Sequence, residues 1–499
     1  MFFFVNQYFL SRNSSVEHAE IKRLQLFARH NWGAKLVSRD YDSTIHATLK
    51  RFGLTDDQLV NMFDFFAQTE DYQGQQWHVE DLDLPAAYQV GTGNNSRDIM
   101  DGQRLVGEVY FIGGTIGQVD HVDFFDPAGN LTLRQRFDIR GFKSVDQFFG
   151  KDGQMYYERY YRPDKTLYLE RYYIQSDQNT PLNSLNVLRD YKGKDYYFDS
   201  FDDLFVFFLD ELNLANGGHN AFIADRPAIS IQPVLAMTSS AKKYLWLSIN
   251  HVNDGQNLLN GPINDLFQPA LTSDLQKWVG IIVMTPQQAR NLRNRLGDKA
   301  PLIVINGTPV ITTRPRIPQS QRTPGQLIYV GRLGEDKQIS QLLTIFTAVH
   351  RQCPMSKLTL YGYGNEDDVK RYRQQVANAG LQDVVTFADY QVDLDQDYDQ
   401  AQIFVDTSRI DAQPLAMGEA LSHGVPVVTY DYLYGPAAMV KPGVNGELVQ
   451  LNNQNAFARQ LVKLLQDPAQ LQKLSTGAYD NLGVISDTAT WQQWKQLIN

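Results

Sequence analysis

VGRLGEDK at residues 330–337, YGYGNEDD at 361–368 and DAQPLAMGEALSHGVPVV at 411–428 decide how this chain folds. They follow or close the short β-rich runs LIYV, LTLY and IFVD, and each leads into a helical segment. Strand, loop and helix repeated in this way build a parallel sheet with helices on both faces. Ligands of such sheets bind beyond the carboxyl ends of the strands, so these loops should hold the site.

In the first loop Gly331 permits a tight exit. Arg332 and Lys337 can then converge on one point if the loop folds back before a helix beginning near Ile339. Two fixed cations point to a phosphate or diphosphate. Read as plain surface charges, they would pair with Glu335 and Asp336 instead. In the second loop Gly362 and Gly364 let the backbone approach a ligand such as a nucleoside, although many strand–helix turns look alike. In the third, Asp411 and Glu419 lie eight positions apart, and the helix there can offer N–H groups to a phosphate. Glu419 has the apolar neighbours Ala416, Met417, Ala420 and Leu421, among which a carboxylate needs a partner. Ribose or sugar hydroxyls would supply one; a packing or helix-dipole carboxylate is the plainer reading.

Working outward, VVTFAD and PVVTYD complete this second doubly wound unit, closed by helices over 457–465 and 491–498. Residues 309–324 form a proline-bearing polar linker and the expected lobe boundary, with 319–323 the one stretch where disorder is considered. Upstream, a strand at 2–5, a polar loop at 11–15, a helix over 16–29 and a strand at 34–38 make one βαβ unit. Alternation resumes after Phe201, with a helix through Leu212, AFIAD, a helix near 234–242, WLSIN, GIIVM and LIVIN. Between them, GEVYFIGG, VDHVDFFD, LTLRQRFDI, MYYERYY and TLYLERYYI are separated by the turn signals PAGN, KDG and RPDK. Adjacent hairpins without helices make an antiparallel module. Its Tyr156, Tyr157, Arg159, Tyr160, Tyr161, Arg171, Tyr172 and Tyr173 could suggest RNA, but a sheet with one packed and one partner-facing side is the favoured reading.

At 499 residues the chain exceeds what one core supports, so two domains and a module are expected. A formal net charge of -10 argues against nucleic acid as a partner; an anionic ligand must be caught by a local cluster. Cys353 is the only cysteine, which excludes an intrachain disulfide or a cysteine-based zinc site and fits a reducing compartment. It reads as an apolar filler. MFFFVNQYFL lacks a basic n-region, so it reads as a strand and not as a signal peptide. A soluble cytoplasmic protein is expected, with membrane contact only at its surface, peripheral to the inner face.

The three loops, in this order and at this spacing, resemble the donor half of retaining GT-B glycosyltransferases of the glycogen synthase-like and bacterial wall-modifying type. The resemblance implies an α/β GT-B fold of two Rossmann-like doubly wound lobes with an antiparallel β insertion in the N-terminal lobe. The parts expected are 1–74 and 181–318 for the N-terminal lobe, 75–180 for the insertion, 319–480 for the donor lobe and 481–499 for a closing helix. It also implies that Arg332 and Lys337 hold a donor diphosphate, that Asp411 and Glu419 meet the sugar and ribose, and that Gly331, Gly362, Gly364 and Leu415 contact the donor. The family's first carboxylate is usually Glu before Gly-rich residues; here Asp411 precedes Ala412, Gln413 and Pro414. SSVEHAEIKRL at 14–24 matches the donor-proximal loop and first helix, with Ser14 and Ser15 offering N–H groups where glycines are usual. SINHVND at 248–254 supplies His251 at the position of the family's active-site histidine.

The insertion is similar to that of teichoic-acid glycosyltransferases and of the catalytic subunit that starts O-glycosylation of serine-rich adhesins. Glucose or N-acetylglucosamine is therefore expected to pass from a UDP-sugar to a surface polymer, first poly(glycerol phosphate) teichoic acid, or to Ser/Thr of a surface protein. No metal or cofactor is expected, since no Asp/Glu cluster of the D-x-D kind reads convincingly as a metal site and two cations can stabilise the leaving UDP. The insertion would serve acceptor capture, self-association or a partner glycosyltransferase subunit. A catalytically dead partner or chaperone subunit is the alternative of a different class.

Overall fold

The computed structural model describes residues 1–253 and 256–498. Asp254 of SINHVND and Asn499 at the end of the closing segment lie outside the described residues. The chain divides into two compact units, Met1–Ser11 with Ala34–Lys242, and Arg12–Gly33 with Lys243–Asn499. The expected boundary at 309–324 falls inside the second unit, which also takes in the first helix.

In the first unit, the strands Phe2–Asn6, Ala34–Ser38, Leu59–Asn61 and Ala221–Ala224 pair in parallel, with Phe2–Asn6 between Ala34–Ser38 and Ala221–Ala224. Phe2 to Val5 are buried throughout, as a strand covered on both faces requires. The antiparallel sheet has ten strands, ordered as in the chain from Tyr88–Val90 at one edge to Lys194–Phe198 at the other. It outruns the expected end at 180, because Pro181–Tyr191 and Lys194–Phe198 continue the meander through a turn at Lys192 and Gly193 with positive φ. Its cations are answered across the strands: Arg134 by Asp123, Arg171 by Glu158 and Arg189 by Glu170. On the strand Met155–Tyr161, Glu158 and Tyr160 are buried while Arg159 between them is exposed, which is the two-sided pattern of one packed and one open face.

Two elements differ from the sequence reading. The helix near 234–242 is Pro227–Ala236, started by Pro227 in its first turn, and Asp210 then holds the Thr238 and Ser239 amides in a non-helical turn. The strand read as WLSIN is Lys242–Trp246, so Ser248 to His251 belong to the loop beyond it.

In the second unit, Lys242–Trp246, Gly280–Val283 and Leu302–Val304 pair in parallel. A separate six-stranded parallel sheet runs Val385–Ala388, Lys357–Tyr361, Gln326–Val330, Ile403–Asp406, Val427–Asp431 and Gly446–Gln450. Helix Ile339–Gln352 covers one face with Leu342, Leu343, Phe346 and Val349 fully buried, and Cys353 packs at the margin of this core. Residues 319–323 are ordered. Arg322 is buried and donates to the carbonyls of Tyr398, Ala401 and His423, which fixes the linker against the sheet. Asp487–Ile498 is the last helix. Among the described residues no helix is long and apolar enough to cross a membrane.

Candidate active site

The loops after Gln326–Val330 and Lys357–Tyr361 touch directly. Leu333 N–H donates to the Tyr363 carbonyl at 2.8 Å. A Cβ on Gly362 would meet the Gly331 carbonyl at 2.0 Å, and one on Gly364 the Leu333 carbonyl at 2.6 Å. These glycines are thus required by loop-on-loop packing, which sequence reading had assigned to a ligand. Beside them opens a cavity of about 540 Å³ lined by Arg12, Tyr363, Gly364, Phe387, Ala388 and Asp389, among others. Arg373 lies 5.0 Å over the Phe387 ring on its wall.

The first loop does fold back, through a short 3₁₀ turn at Glu335–Lys337 before Ile339–Gln352. Arg332 and Lys337 converge on Asp336, at 3.2 and 3.8 Å. Arg332 is half exposed, whereas Lys337 is sunk and reaches Asp411 Oδ2 at 2.8 Å. Burial alone would lower the Lys337 pKa, but Asp411, then Asp406 and Asp336, reverse this and hold it above the ordinary lysine value. Lys337, its side chain 12% exposed, is therefore a charged ammonium. The cations thus have carboxylate partners: Asp336, as the plain surface-charge reading has it, and Asp411, which lies 74 positions from Lys337 and outside any local pattern.

Asp411 is fixed by neighbours that the sequence reading overlooked. Tyr434 N–H donates to the Asp411 carbonyl at 3.1 Å, and Gln413 Oε1 accepts from Gly307 N–H at 2.7 Å. His251 is fully buried and lies against the same Tyr434, ring centroids 6.3 Å apart. Its Nε2 stands 2.8 Å from the Leu258 carbonyl, which can only accept, so Nε2 carries the proton. Burial lowers the His251 pKa, leaving a neutral ring. Its Nδ1 is a buried acceptor with no hydrogen bond among the described residues. His251 and Asp411 are thereby brought to one tyrosine from segments 160 positions apart in sequence.

Glu419 is in the second turn of Leu415–Ser422, with Leu415 as the first helical residue after Pro414. Its Oε1 meets Lys22 Nζ at 2.7 Å and its Oε2 accepts from Tyr398 Oη at 3.1 Å. Ser14 caps the first helix, Ser15–Arg29, and both its N–H and hydroxyl are engaged by Glu17 at 2.8 and 2.6 Å. The Ser14 amide expected to face a donor is thus spent on the cap, and Ser15 is the first helical residue behind it. Lys22, His18, Tyr398 and Tyr434 were not found from sequence. The four-residue spacing of His18 and Lys22, which sets both on one helix face, was the available signal. Among the described residues no group of three or more His, Cys, Asp or Glu could hold a metal ion.

A charged lysine and an arginine thus converge beyond the carboxyl ends of a parallel sheet, beside a cavity of about 540 Å³. Residues 308–481 match the family of glycosyl transferases group 1. This region is a group 1 glycosyltransferase domain. Residues 88–184, in the antiparallel sheet, match the GtfB middle domain. The chain is 24% identical over 303 residues to the poly(glycerol-phosphate) alpha-glucosyltransferase of Bacillus subtilis, covering 60% of this chain and 43% of that one. It therefore spans less than half the length of that relative.

Among the solved structures similar over the whole chain are two determined with UDP. TarM of S. aureus, in complex with fondaparinux, alpha-GlcNAc-glycerol and UDP, has a TM-score of 0.83 at 19% identity, covering 100% of this chain and 99% of that one. The pneumococcal O-GlcNAc transferase GtfA, in complex with UDP and GlcNAc, has a TM-score of 0.84 at 19% identity, covering 100% and 98%. The fold is GT-B, with the group 1 domain on its six-stranded sheet and an antiparallel sheet inserted in the N-terminal region.

Proposed function

We propose that this chain is a retaining glycosyltransferase that moves glucose or N-acetylglucosamine from a UDP-sugar to a bacterial cell-surface acceptor, first poly(glycerol phosphate) wall teichoic acid. The observation that carries this reading is the largely enclosed, charged Lys337 at 2.8 Å from Asp411, with Arg332 beside it. When the glycosidic bond breaks, negative charge grows on the departing β-phosphate oxygen. Cations already in place bind that charge more strongly than the ground state, and this difference accelerates the step. A diphosphate at Lys337 takes the place of the Asp411 carboxylate as its counter-ion, leaving Asp411 beside the donor sugar. His251 Nδ1, a buried lone pair, accepts from a sugar hydroxyl. The base lodges in the cavity beside Gly364 and Phe387. No step of this scheme calls for a metal.

The antiparallel sheet is assigned to acceptor capture, self-association or contact with a partner glycosyltransferase subunit. Its exposed Tyr156, Ile174, Leu182 and Tyr197 support a contact role. The match of residues 88–184 to the GtfB middle domain favours one second reading, in which Ser/Thr of a surface adhesin is the acceptor and the protein works in a two-subunit complex. In either case the protein works in the cytoplasm, peripheral to the inner face of the membrane.

UDP release from UDP-glucose and UDP-N-acetylglucosamine, each with poly(glycerol phosphate), with a Ser/Thr-rich peptide and without acceptor, tests the reading. Release stimulated by one acceptor is expected. Failure to release UDP with any pair would leave a non-catalytic subunit as the better account.

A further inference from the structure

Glu419 does not stand alone at the group 1 domain's third loop; the first helix reaches it from nearly four hundred residues away in sequence. Lys22 Nζ occupies Oε1 at 2.7 Å and Tyr398 Oη occupies Oε2 at 3.1 Å, so each carboxylate oxygen already has one donor. The carboxylate is still 29% exposed, enough for each oxygen to accept a second hydrogen bond from a ligand. The titratable groups around it come from three helices. His18, one turn before Lys22, bonds Tyr390 at 2.8 Å, and burial lowers its pKa, so it is neutral at pH 7. Glu17 precedes it and is taken up by the Ser14 cap. On the helix Asp395–Gln400, Tyr398 faces Glu419, while Asp395 and Asp399 turn to His423, at 3.2 and 2.7 Å, at the far end of Leu415–Ser422. Burial alone would raise the Glu419 pKa, but Lys22 first, then His18 and Tyr398, bring it down to about 2. Such a carboxylate neither protonates a leaving group nor takes up a proton near pH 7; it can only accept hydrogen bonds.

We propose that Lys22 is a positioning residue that holds the Glu419 carboxylate oriented to accept the ribose hydroxyls of the donor nucleotide. This inference rests on the donor-site reading above. Lys22 acts through Glu419 and sets how well the site tells a ribose from a sugar lacking those hydroxyls. It also makes the first helix a part of the nucleotide site, in keeping with the grouping of Arg12–Gly33 with the C-terminal half.

The test is calorimetric titration of UDP and 2′,3′-dideoxy-UDP into wild type, Lys22→Ala and Lys22→Arg between pH 4.5 and 8. Wild type is expected to prefer UDP with little pH dependence from Glu419. Lys22→Ala should lose about tenfold in UDP affinity, the scale of one charged hydrogen bond, and most of its preference over the dideoxy analogue. It should also gain an acid limb, as Glu419 protonates in or above the ordinary carboxylate range. Lys22→Arg should restore the preference and remove the limb. A merely structural lysine would reduce the folded fraction without moving either readout. UDP affinity, preference and pH profile in Lys22→Ala equal to wild type would overturn the role of Lys22 alone. No UDP binding by wild type would overturn the donor-site reading and Lys22 with it.

Discussion

Each compact unit contains a cluster of charge, buried in the first and partly exposed in the second, and the two differ in what they leave open. In the first unit Arg140 is closed in on every side: Asp64 at 2.6 Å, Asp138 at 2.8 Å and the Thr69 carbonyl at 2.6 Å. His46 completes it, bonding Asp64 at 3.0 Å and Asp56 at 2.7 Å. In the second unit Lys337 and Asp411 form a pair with half-exposed Arg332 beside it, and the Nδ1 of His251, which shares Tyr434 with Asp411, lacks a hydrogen bond among the described residues. The first arrangement uses up its hydrogen bonds and fastens the antiparallel sheet to the helices Ile45–Arg51 and Met62–Ala67. The second is held rigidly from behind and keeps capacity in front. Buried charge marks function where it remains partly unanswered, and structure where every partner is present.

That contrast can be broken by mutation, starting with the largest expected effect. Arg140→Ala strands two buried carboxylates and should cost about 3–5 kcal/mol of stability in the first unit, read by denaturant unfolding, with UDP affinity of the folded variant unchanged. Lys337→Ala should act in the opposite sense. A kcat lower by about a hundredfold, with a smaller change in donor KM, is expected from losing one preorganised contact to the leaving group, at little cost in unfolding midpoint. Comparable effects of the two variants on both readouts would erase the distinction.

The smallest effect is a pH dependence. Burial lowers the His46 pKa, but Asp64 outweighs it, so the folded value lies above the ordinary 6.5. A raised folded value contributes stability below the unfolded pKa and loses it as pH rises through the folded one. Stability of the first unit should therefore fall modestly from about pH 6 upward through the raised value, and His46→Gln should flatten that slope. A slope unchanged in His46→Gln would assign it to another group.

The C-terminal sheet is legible because its strands are apolar runs ended by loops of Gly, Arg and Lys, and the helix expected to begin near Ile339 runs Ile339–Gln352. Strand ends failed where polarity misled. WLSIN looks extended, yet the chain leaves the sheet after Trp246 to put Asn250 and His251 against Leu433 and Tyr434. The stretch 319–323 reads as the one place for disorder because the linker around it is polar and proline-bearing, and only the fold supplies the carbonyls that bury Arg322. Within the site, Arg332 and Lys337 could be named from spacing. Lys22, Tyr398 and Tyr434 could not, since their partners are tertiary and no local pattern sets a lysine at position 22 against a glutamate at 419. Gly362 and Gly364 were singled out for a ligand, while their first duty is to let two loops cross.

In the proposed donor site Lys337 binds the nucleotide's terminal phosphate. Calorimetric titration of UDP into wild type and Lys337→Ala at one ionic strength tests it most directly, because free UDP carries at that phosphate the charge that develops during transfer. Binding to wild type, weakened by about tenfold or more in Lys337→Ala, is the expected result. Equal affinity in the two proteins would place the diphosphate elsewhere and contradict the account.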